Sequence, residues 1–471
     1  MKVRTRYAPS PTGFMHIGNL RTAIFEYLLA KKYNGDFILR IEDTDQEREV
    51  EGAIDFIYNT LDLCGFKIDE GPNNEGNFGP YIQSKRKDIY KEYALKLVEM
   101  GKAYYCFCSE EELSKMREKA DARKKPFLYD GRCSRLSKEI IEENLKNNVP
   151  YVIRQKMPKE GVTIVEDLIY GKVKIDNSIL DDQILLKSDG FPTYNFANVI
   201  DDHLMEITHV IRGKEYLDQT AKYNLLYEAF GWEKPTYIHV AMVLGEDGNK
   251  LSKRNGDASF MDLYNEGYLP EAIVNYLSLL GWSPESNQEI FSMEELISNF
   301  NEARISKSSS GYDVKKLKWF NHQYINKMDD ETYLNWIKKY FSNECDKSEE
   351  WLNHLLLIYK SHLNYGKEIN ELTSSFFNKE FVIDAEAKEF MESDEVIPKV
   401  VEVFKEEIKS TSNWSVEALQ EVINNVKEKA GVKGKMLFMP IRIASSGIMH
   451  GPELADTLYL IGKEEILNRL K

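Results

Sequence analysis

Residues 8–19 read APSPTGFMHIGN, and how this stretch is read decides the fold. Pro9 and Pro11 stiffen the chain, Thr12-Gly13 turns it, and His16 precedes a glycine and then a helical pattern. Upstream, Val3–Tyr7 reads as a short strand. Downstream, Leu20, Ala23, Ile24, Tyr27 and Leu28 recur at helical spacing, and Asn34-Gly35 offers a left-handed stop. Residues 36–45, DFILRIEDTD, supply a second buried strand over Phe37–Ile41 that ends in acids. Strand, helix and strand over about forty residues predict a parallel βαβ unit. In such sheets ligands sit beyond the carboxyl ends of the strands, where both the opening loop and Glu42 fall.

This edge lacks the G-x-x-x-x-G-K-[ST] and G-x-G-x-x-G signatures, so a nucleotide here has to be held in another way. The helix start after Gly18 offers free N–H groups and the positive end of a dipole. Gly13 and Gly18 permit close approach, and His16 can donate to phosphate oxygens. Taken alone, the stretch is also an ordinary strand-to-helix connection.

A second segment changes that balance. Residues 237–256, YIHVAMVLGEDGNKLSKRNG, predict a strand over Tyr237–Leu244, a turn, and then Lys250, Ser252 and Lys253 on a loop at the same sheet edge. An isolated K-x-x-K loop is a solvated surface. Paired with His16 across one edge, its lysines suit the moving oxygens of a polyphosphate.

The HIGN and KLSKR motifs resemble the two signatures of class I aminoacyl-tRNA synthetases. RYAPSPTGFMHIGNLRTA, RIEDTD, GPYIQSKR, YDGRC, SDGFPTYNFANVIDDHLMEITHVIRGKEYL and, near the C-terminus, GKMLFMPIRIASSGIMHGPEL resemble the glutamyl-tRNA synthetases of bacterial type. Asn19 stands where the class motif has a second histidine, so only His16 can carry charge there.

The resemblance implies activation of L-glutamate by ATP with Mg²⁺, then transfer to the 3′ end of glutamate tRNA. His16, Lys250 and Lys253 are implied as catalytic groups. Gly13, Gly18, Asn19 and Ser252 join them around ATP. Arg6, Ala8, Ser10, Glu42, Tyr194, Asn198 and Arg212 are implied for glutamate, and Glu215 and Tyr216 for the adenosine and tRNA side. The arginines suit a substrate with two carboxylates, because a planar fork meets a carboxylate with two hydrogen bonds.

The fold expected is multidomain α/β plus all-α. A Rossmann-type parallel-sheet catalytic domain spans 1–100 and 191–254, interrupted by an acceptor-end-binding insertion at 101–190. Residues 255–329 form a helical stem-contact domain, and 330–408 and 409–471 form α-helical anticodon-binding domains. The insertion carries Arg117, Lys119, Arg123, Lys124 and Lys125, and residues 421–442 carry Lys427, Lys429, Lys433, Lys435 and Arg442 as a candidate phosphate-contacting face. Discriminating family members place an arginine near Lys360-Ser361-His362, which leaves room for charging of glutamine tRNA as well.

Composition fits this picture. The 471 residues are 42% hydrophobic and 30% charged, as in globular proteins, and carry net charge −15, which excludes indiscriminate coating of nucleic acid. No apolar run reaches the roughly 20 residues of a membrane helix, and no apolar stretch follows Lys2, Arg4 and Arg6, so neither membrane nor secretory leader is expected. Five cysteines suit a reducing cytoplasm. Cys106, Cys108 and Cys133 resemble the zinc site of some family members. Arg135 stands at its fourth position, so free thiols and no structural zinc are expected. A monomer is expected.

Two other readings compete. A small-molecule nucleotidyltransferase shares the first loop but needs neither the insertion nor a further 200 or so helical residues. A non-catalytic RNA-binding module needs neither His16 nor Lys253.

Overall fold

The computed structural model describes residues 2–11, 15–45, 48, 50–124, 126–245, 247–249, 251, 259–378 and 380–471. The chain divides into two units, Met1–Met261 with Val274–Asp313, and Asp262–Ile273 with Val314–Lys471.

In the first unit, strand β1 (Arg4–Tyr7), helix α1 (Ile17–Lys32) and strand β2 (Asp36–Leu39) form the expected βαβ unit. The two strands are parallel, in register from Arg4 opposite Asp36 to Tyr7 opposite Leu39. Asn34 takes the left-handed conformation, φ 51°, and the chain reverses there into β2. Gly35 is required by crowding: a Cβ would lie 2.1 Å from the Val3 carbonyl oxygen. Leu20, Ala23, Ile24 and Leu28 are all buried, so the helical spacing marks the face that packs on the sheet.

Downstream, Thr208 N donates to the Arg4 carbonyl, which joins β1 to the strand His209–Gly213. That strand pairs in parallel with Thr236–Val240, placing Arg212 opposite His239. An antiparallel hairpin, Val162–Asp167 with Gly171–Asp176, adds to this sheet through a parallel pairing of Asp167 with Tyr237. Ala103–Cys106, Val152–Gln155 and Ile184–Leu186 form a separate antiparallel sheet. Segment 101–190 therefore contributes both its own sheet and an extension of the catalytic sheet.

The expected continuous strand over Tyr237–Leu244 is interrupted. It stops at Val240, and Val243–Leu244 pairs instead with Ser310–Gly311. Between them the Ala241 carbonyl accepts from the Arg21 guanidinium.

The second unit is helical, with no strand among its described residues. One core gathers Tyr333, Ile337, Leu355 and Tyr359; another gathers Val400, Phe404, Val422, Ile441 and Leu458. The anticipated basic face is partly used internally. Arg442 Nη2 donates to the Pro452 carbonyl at 2.6 Å, Lys429 pairs with Glu407, and Lys435 lies 4.9 Å from the Phe390 ring centre. Arg442 turns inward because the chain folds back over it, which helical periodicity alone does not reveal.

Candidate active site

At the carboxyl edge of the first unit's sheet lies a cavity of about 390 Å³. Its walls include Arg6, Ala8, Ser10, His16, Gly18, Asn19, Glu42, Tyr194, Arg212, Glu215 and Tyr216, all singled out from the sequence. Of the second motif, Leu251 reaches the wall. Gly13, Lys250, Ser252 and Lys253 lie outside the described residues. Asn198 is buried and does not line the cavity; its amide donates to the Tyr194 carbonyl at 2.8 Å, within its own helix.

His16 is the N-cap of α1, and its Nδ1 accepts from Gly18 N at 3.0 Å. With Nδ1 so used, the neutral ring carries its proton on Nε2. A Cβ on Gly18 would sit 3.1 Å from this Nδ1, so the glycine lets the ring fold over the helix start.

The two candidate arginines differ. Arg6 donates to both oxygens of Asp202, at 3.0 and 3.4 Å, and to Glu26 at 3.2 Å. Its charge is compensated inside the wall. Arg212 has no carboxylate partner among the described residues. Its Nε and Nη2 donate to His239 Nε2 and Thr220 Oγ1, at 3.2 and 2.8 Å. The ring centres of Tyr223, Tyr216 and Tyr237 lie 4.6, 5.6 and 5.6 Å from its guanidinium carbon. Arg212 thus brings a buried, uncompensated positive charge to the cavity.

Glu42 is complementary. Its Oε1 accepts from Arg40 at 3.0 Å, while Oε2 is buried with no hydrogen-bond partner among the described residues. Burial pushes this carboxyl up to about 7, against the pull of Arg40 and Arg6. A buried, orphaned carboxylate oxygen is costly unless a ligand completes it. Arg40 itself is fully buried, paired with Glu42 and Asp202, and so fixes the direction of the Glu42 carboxylate.

The family profile described as "tRNA synthetases class I (E and Q), catalytic domain" matches residues 2–319. The chain belongs to this family. An "Anticodon binding domain" profile matches residues 328–471. The glutamate–tRNA ligase of Clostridium novyi is 50% identical over 481 residues, covering 100% of this chain and 97% of the relative. That of Clostridium tetani is 49% identical over 477 residues, with the same coverage. A glutamate tRNA ligase from Elizabethkingia meningosepticum, solved in complex with its amino acid, superposes with TM-score 0.90 at 38% identity, covering 100% of this chain and 98% of that one. A glutamate-tRNA synthetase from Elizabethkingia anophelis gives TM-score 0.90 at 37% identity, covering 100% and 99%. The class I assignment and the helical anticodon region expected from the motifs are borne out.

The sequence reading of this synthetase missed Arg21, Glu26 and Asp202. Arg21 follows Gly18 by one helical step and so reaches the same wall, with Nη1 donating to the Leu280 carbonyl at 3.0 Å. Burial lowers it to about 10. Its position on the buried face of α1 was the available signal.

The three thiols converge more closely than their spacing suggested. Sγ atoms of Cys106, Cys108 and Cys133 lie within 4.8 Å of one another, and Tyr129 Oη lies 3.3 and 3.2 Å from Cys106 and Cys108 Sγ. Hydrogen bonding with Cys133, ahead of that with Tyr129, draws Cys106 down to about 4. Arg135 points to the Asp130 carbonyl instead. Three soft sulfur donors and a neighbouring phenol oxygen fit a tetrahedral cation such as zinc. The side chain that comes up to the three thiols is Tyr129, not Arg135. None of the four lines the cavity.

Proposed function

We propose that this chain is a glutamate–tRNA ligase that forms glutamyl-adenylate in the cavity and transfers the glutamyl group to tRNA. One observation carries the reading. Among the described residues, the same cavity presents a guanidinium with no carboxylate partner, Arg212, and an orphaned carboxylate oxygen, Glu42 Oε2. An amino acid with an anionic side chain supplies a partner for each: its ammonium for Glu42, its side-chain carboxylate for Arg212.

The α-carboxylate of glutamate is ionised at neutral pH and needs no protein base. It attacks the α-phosphorus of ATP, and pyrophosphate leaves; Mg²⁺ carried by ATP would supply shielding of the phosphate charge. His16 Nε2–H, at the helix start, donates to the phosphate oxygens, with Gly13, Gly18 and Asn19 lining the approach. Lys250 and Lys253, with Ser252, all on the second motif, are assigned to the pyrophosphate. Such contacts are each worth about 3–4 kcal/mol in rate. Arg6, Ala8, Ser10, Tyr194 and Asn198 shape the amino-acid pocket, Arg6 through its wall contacts and Asn198 from behind Tyr194. The terminal ribose hydroxyl of tRNA then attacks the adenylate carbonyl from the side of Glu215 and Tyr216, releasing AMP.

The tRNA reading extends along the chain. Residues 1–100 and 191–254 form the catalytic domain. The insertion, 101–190, holds the acceptor end, supported by the helix Glu110–Ala122, which buries none of its residues. A zinc ion held by Cys106, Cys108 and Cys133 would brace this insertion without entering the chemistry. Residues 255–329 follow the stem, and 330–408 and 409–471 bind the anticodon. The enzyme works as a cytoplasmic monomer and takes glutamine tRNA as well as glutamate tRNA. Aminoacylation with each purified tRNA, with ATP–pyrophosphate exchange read in parallel, tests the whole scheme. Glutamate charging of glutamate tRNA is expected, with exchange only when tRNA is present. No charging of glutamate tRNA overturns the function, and none of glutamine tRNA overturns the relaxed specificity.

A further inference from the structure

Behind Arg212, away from the family motifs, lies a buried pair. His239 faces Arg212 across the parallel strands and is fully buried. Its ring Nδ1 is 2.7 Å from Asp167 Oδ2, which also accepts from the His239 backbone N–H at 3.0 Å. Asp167 Oδ1 accepts from the N–H groups of Ile169 and Tyr170, at 2.9 and 2.8 Å. Burial works against ionisation of Asp167, but the hydrogen bonds from His239, Tyr170 and Ile169 outweigh it and hold the carboxyl below its ordinary range. An ionised carboxylate only accepts, so the proton between the two residues belongs to His239 Nδ1.

That choice of tautomer fixes what His239 does at its other end. Burial, reinforced by the charge of Arg212, holds the imidazole below its usual range and therefore neutral. Nε2 then offers a lone pair, and Arg212 Nε–H lies 3.2 Å away. Thr220 Oγ1 is also close to Nε2, at 3.3 Å, but its hydroxyl proton goes to the Tyr216 carbonyl at 2.8 Å and its lone pair takes Arg212 Nη2. Two faces of the guanidinium are thus gripped by neutral acceptors.

We propose that His239 and Thr220 form a neutral clamp that positions Arg212, with Asp167 selecting the imidazole tautomer, and that this clamp sets the selectivity for an anionic amino-acid side chain. The inference rests on the glutamate reading above. Its physical content is the contrast with Arg6. Acids orient Arg6, and in doing so they cancel its charge. A neutral imidazole and a hydroxyl orient Arg212 and leave its charge for the substrate. A carboxylate in place of His239 would hold the side chain equally well but would compete with the ligand. Neither His239 nor Asp167 lines the cavity, so both act through Arg212 and are positioning residues.

The substitutions follow the atoms. His239→Asn keeps a donor near Asp167 but removes the acceptor for Arg212, whereas His239→Gln carries an amide oxygen to about where Nε2 stood. With full-length enzyme and glutamate tRNA, His239→Asn is expected to raise KM for glutamate by about tenfold or more, leaving kcat and KM for ATP within about threefold. His239→Gln is expected to recover most of that loss. Thr220→Val removes the second acceptor with little change of shape, and is expected to raise KM for glutamate alone by about threefold or more. In both defective variants, discrimination against free glutamine falls.

An Asn variant with normal glutamate KM, a parallel rise in the ATP KM, or a Gln variant as impaired as Asn overturns the clamp. If His239→Asn does not fold, as read by circular dichroism, the Thr220→Val measurement decides on the same terms. Failure of the unmodified enzyme to charge glutamate overturns the parent reading instead, so the two failures are distinguishable.

Discussion

Arg6 and Asp202 are joined by two hydrogen bonds in the wall of the cavity, and Glu26 holds the same guanidinium from its other side. Arg212 shares the cavity and has no such acid among the described residues. On the proposed function Arg212 carries the ligand's charge and Arg6 acts through its wall contacts, and substitution separates the two roles. Arg6→Ala leaves Glu26 buried without its cation and Asp202 with Arg40 alone, a loss of about 3–5 kcal/mol that chemical denaturation reads directly. Arg212→Ala strands no acid. It is expected to leave the denaturation midpoint nearly in place and to raise KM for glutamate by about tenfold or more. Equal destabilisation by the two variants would contradict the assignment.

Glu42 gives a pH signature. Its carboxyl is pushed up to about 7 by burial, and only the ionised form attracts an ammonium group. In the free enzyme kcat/KM for glutamate should therefore rise with pH to about 7 and level off above it. Glu42→Gln should lower the plateau and abolish this inflection. The sign for stability is opposite. A folded value above the unfolded one contributes stability that is complete below about pH 4 and is lost as pH rises through about 7. Glu42→Gln removes that loss, so its denaturation midpoint should gain on the unmodified enzyme between about pH 4 and pH 7 and keep a constant lead above that.

His16 both caps α1 and faces the cavity, and two variants divide these roles. His16→Ala loses the cap, about 1 kcal/mol, together with the imidazole. His16→Asn retains a capping side chain and loses only the ring. Both should cut adenylate formation at least about tenfold, and only the Ala variant should lose stability. Near-normal exchange rates in the Asn variant would remove His16 from the chemistry.

Gly18 is constrained by the same ring. A Cβ there would lie 3.1 Å from His16 Nδ1, so Gly18→Ala must displace the imidazole or the helix start. The expected outcome is a drop in kcat of about tenfold with a denaturation midpoint close to that of the unmodified enzyme. An unchanged kcat would show that the ring's position is immaterial.

Some of this site was legible in the residues alone. Pro9 and Pro11 announced a break between β1 and α1, and the spacing of Leu20, Ala23, Ile24 and Leu28 announced the helix. Motif order then brought Arg6, His16, Glu42 and Arg212 to one cavity wall, where the structure also has them. Asp167 was not legible. It sits on a strand whose outward positions are Val162, Ile164 and Glu166 and whose inward positions are Thr163, Val165 and Asp167, so apolar-polar alternation does not mark Asp167 as buried. The break after Val240 was hidden too, because Ala241 and Met242 read as a continuing strand until the Arg21 guanidinium is seen taking the Ala241 carbonyl.

The sequence by itself determined the local structure, the order of the motifs and the family, because helix spacing, turn chemistry and motif residues are encoded within short stretches. Tertiary structure alone decided which charges remain available. Arg6 and Arg212 are the same side chain on neighbouring strands. Their difference comes from Glu26, Asp202, Thr220 and His239, residues distant from at least one of them in the chain that folding brings alongside. A guanidinium's chemistry depends on what compensates its charge at a few ångströms, and no local stretch of residues carries that distance.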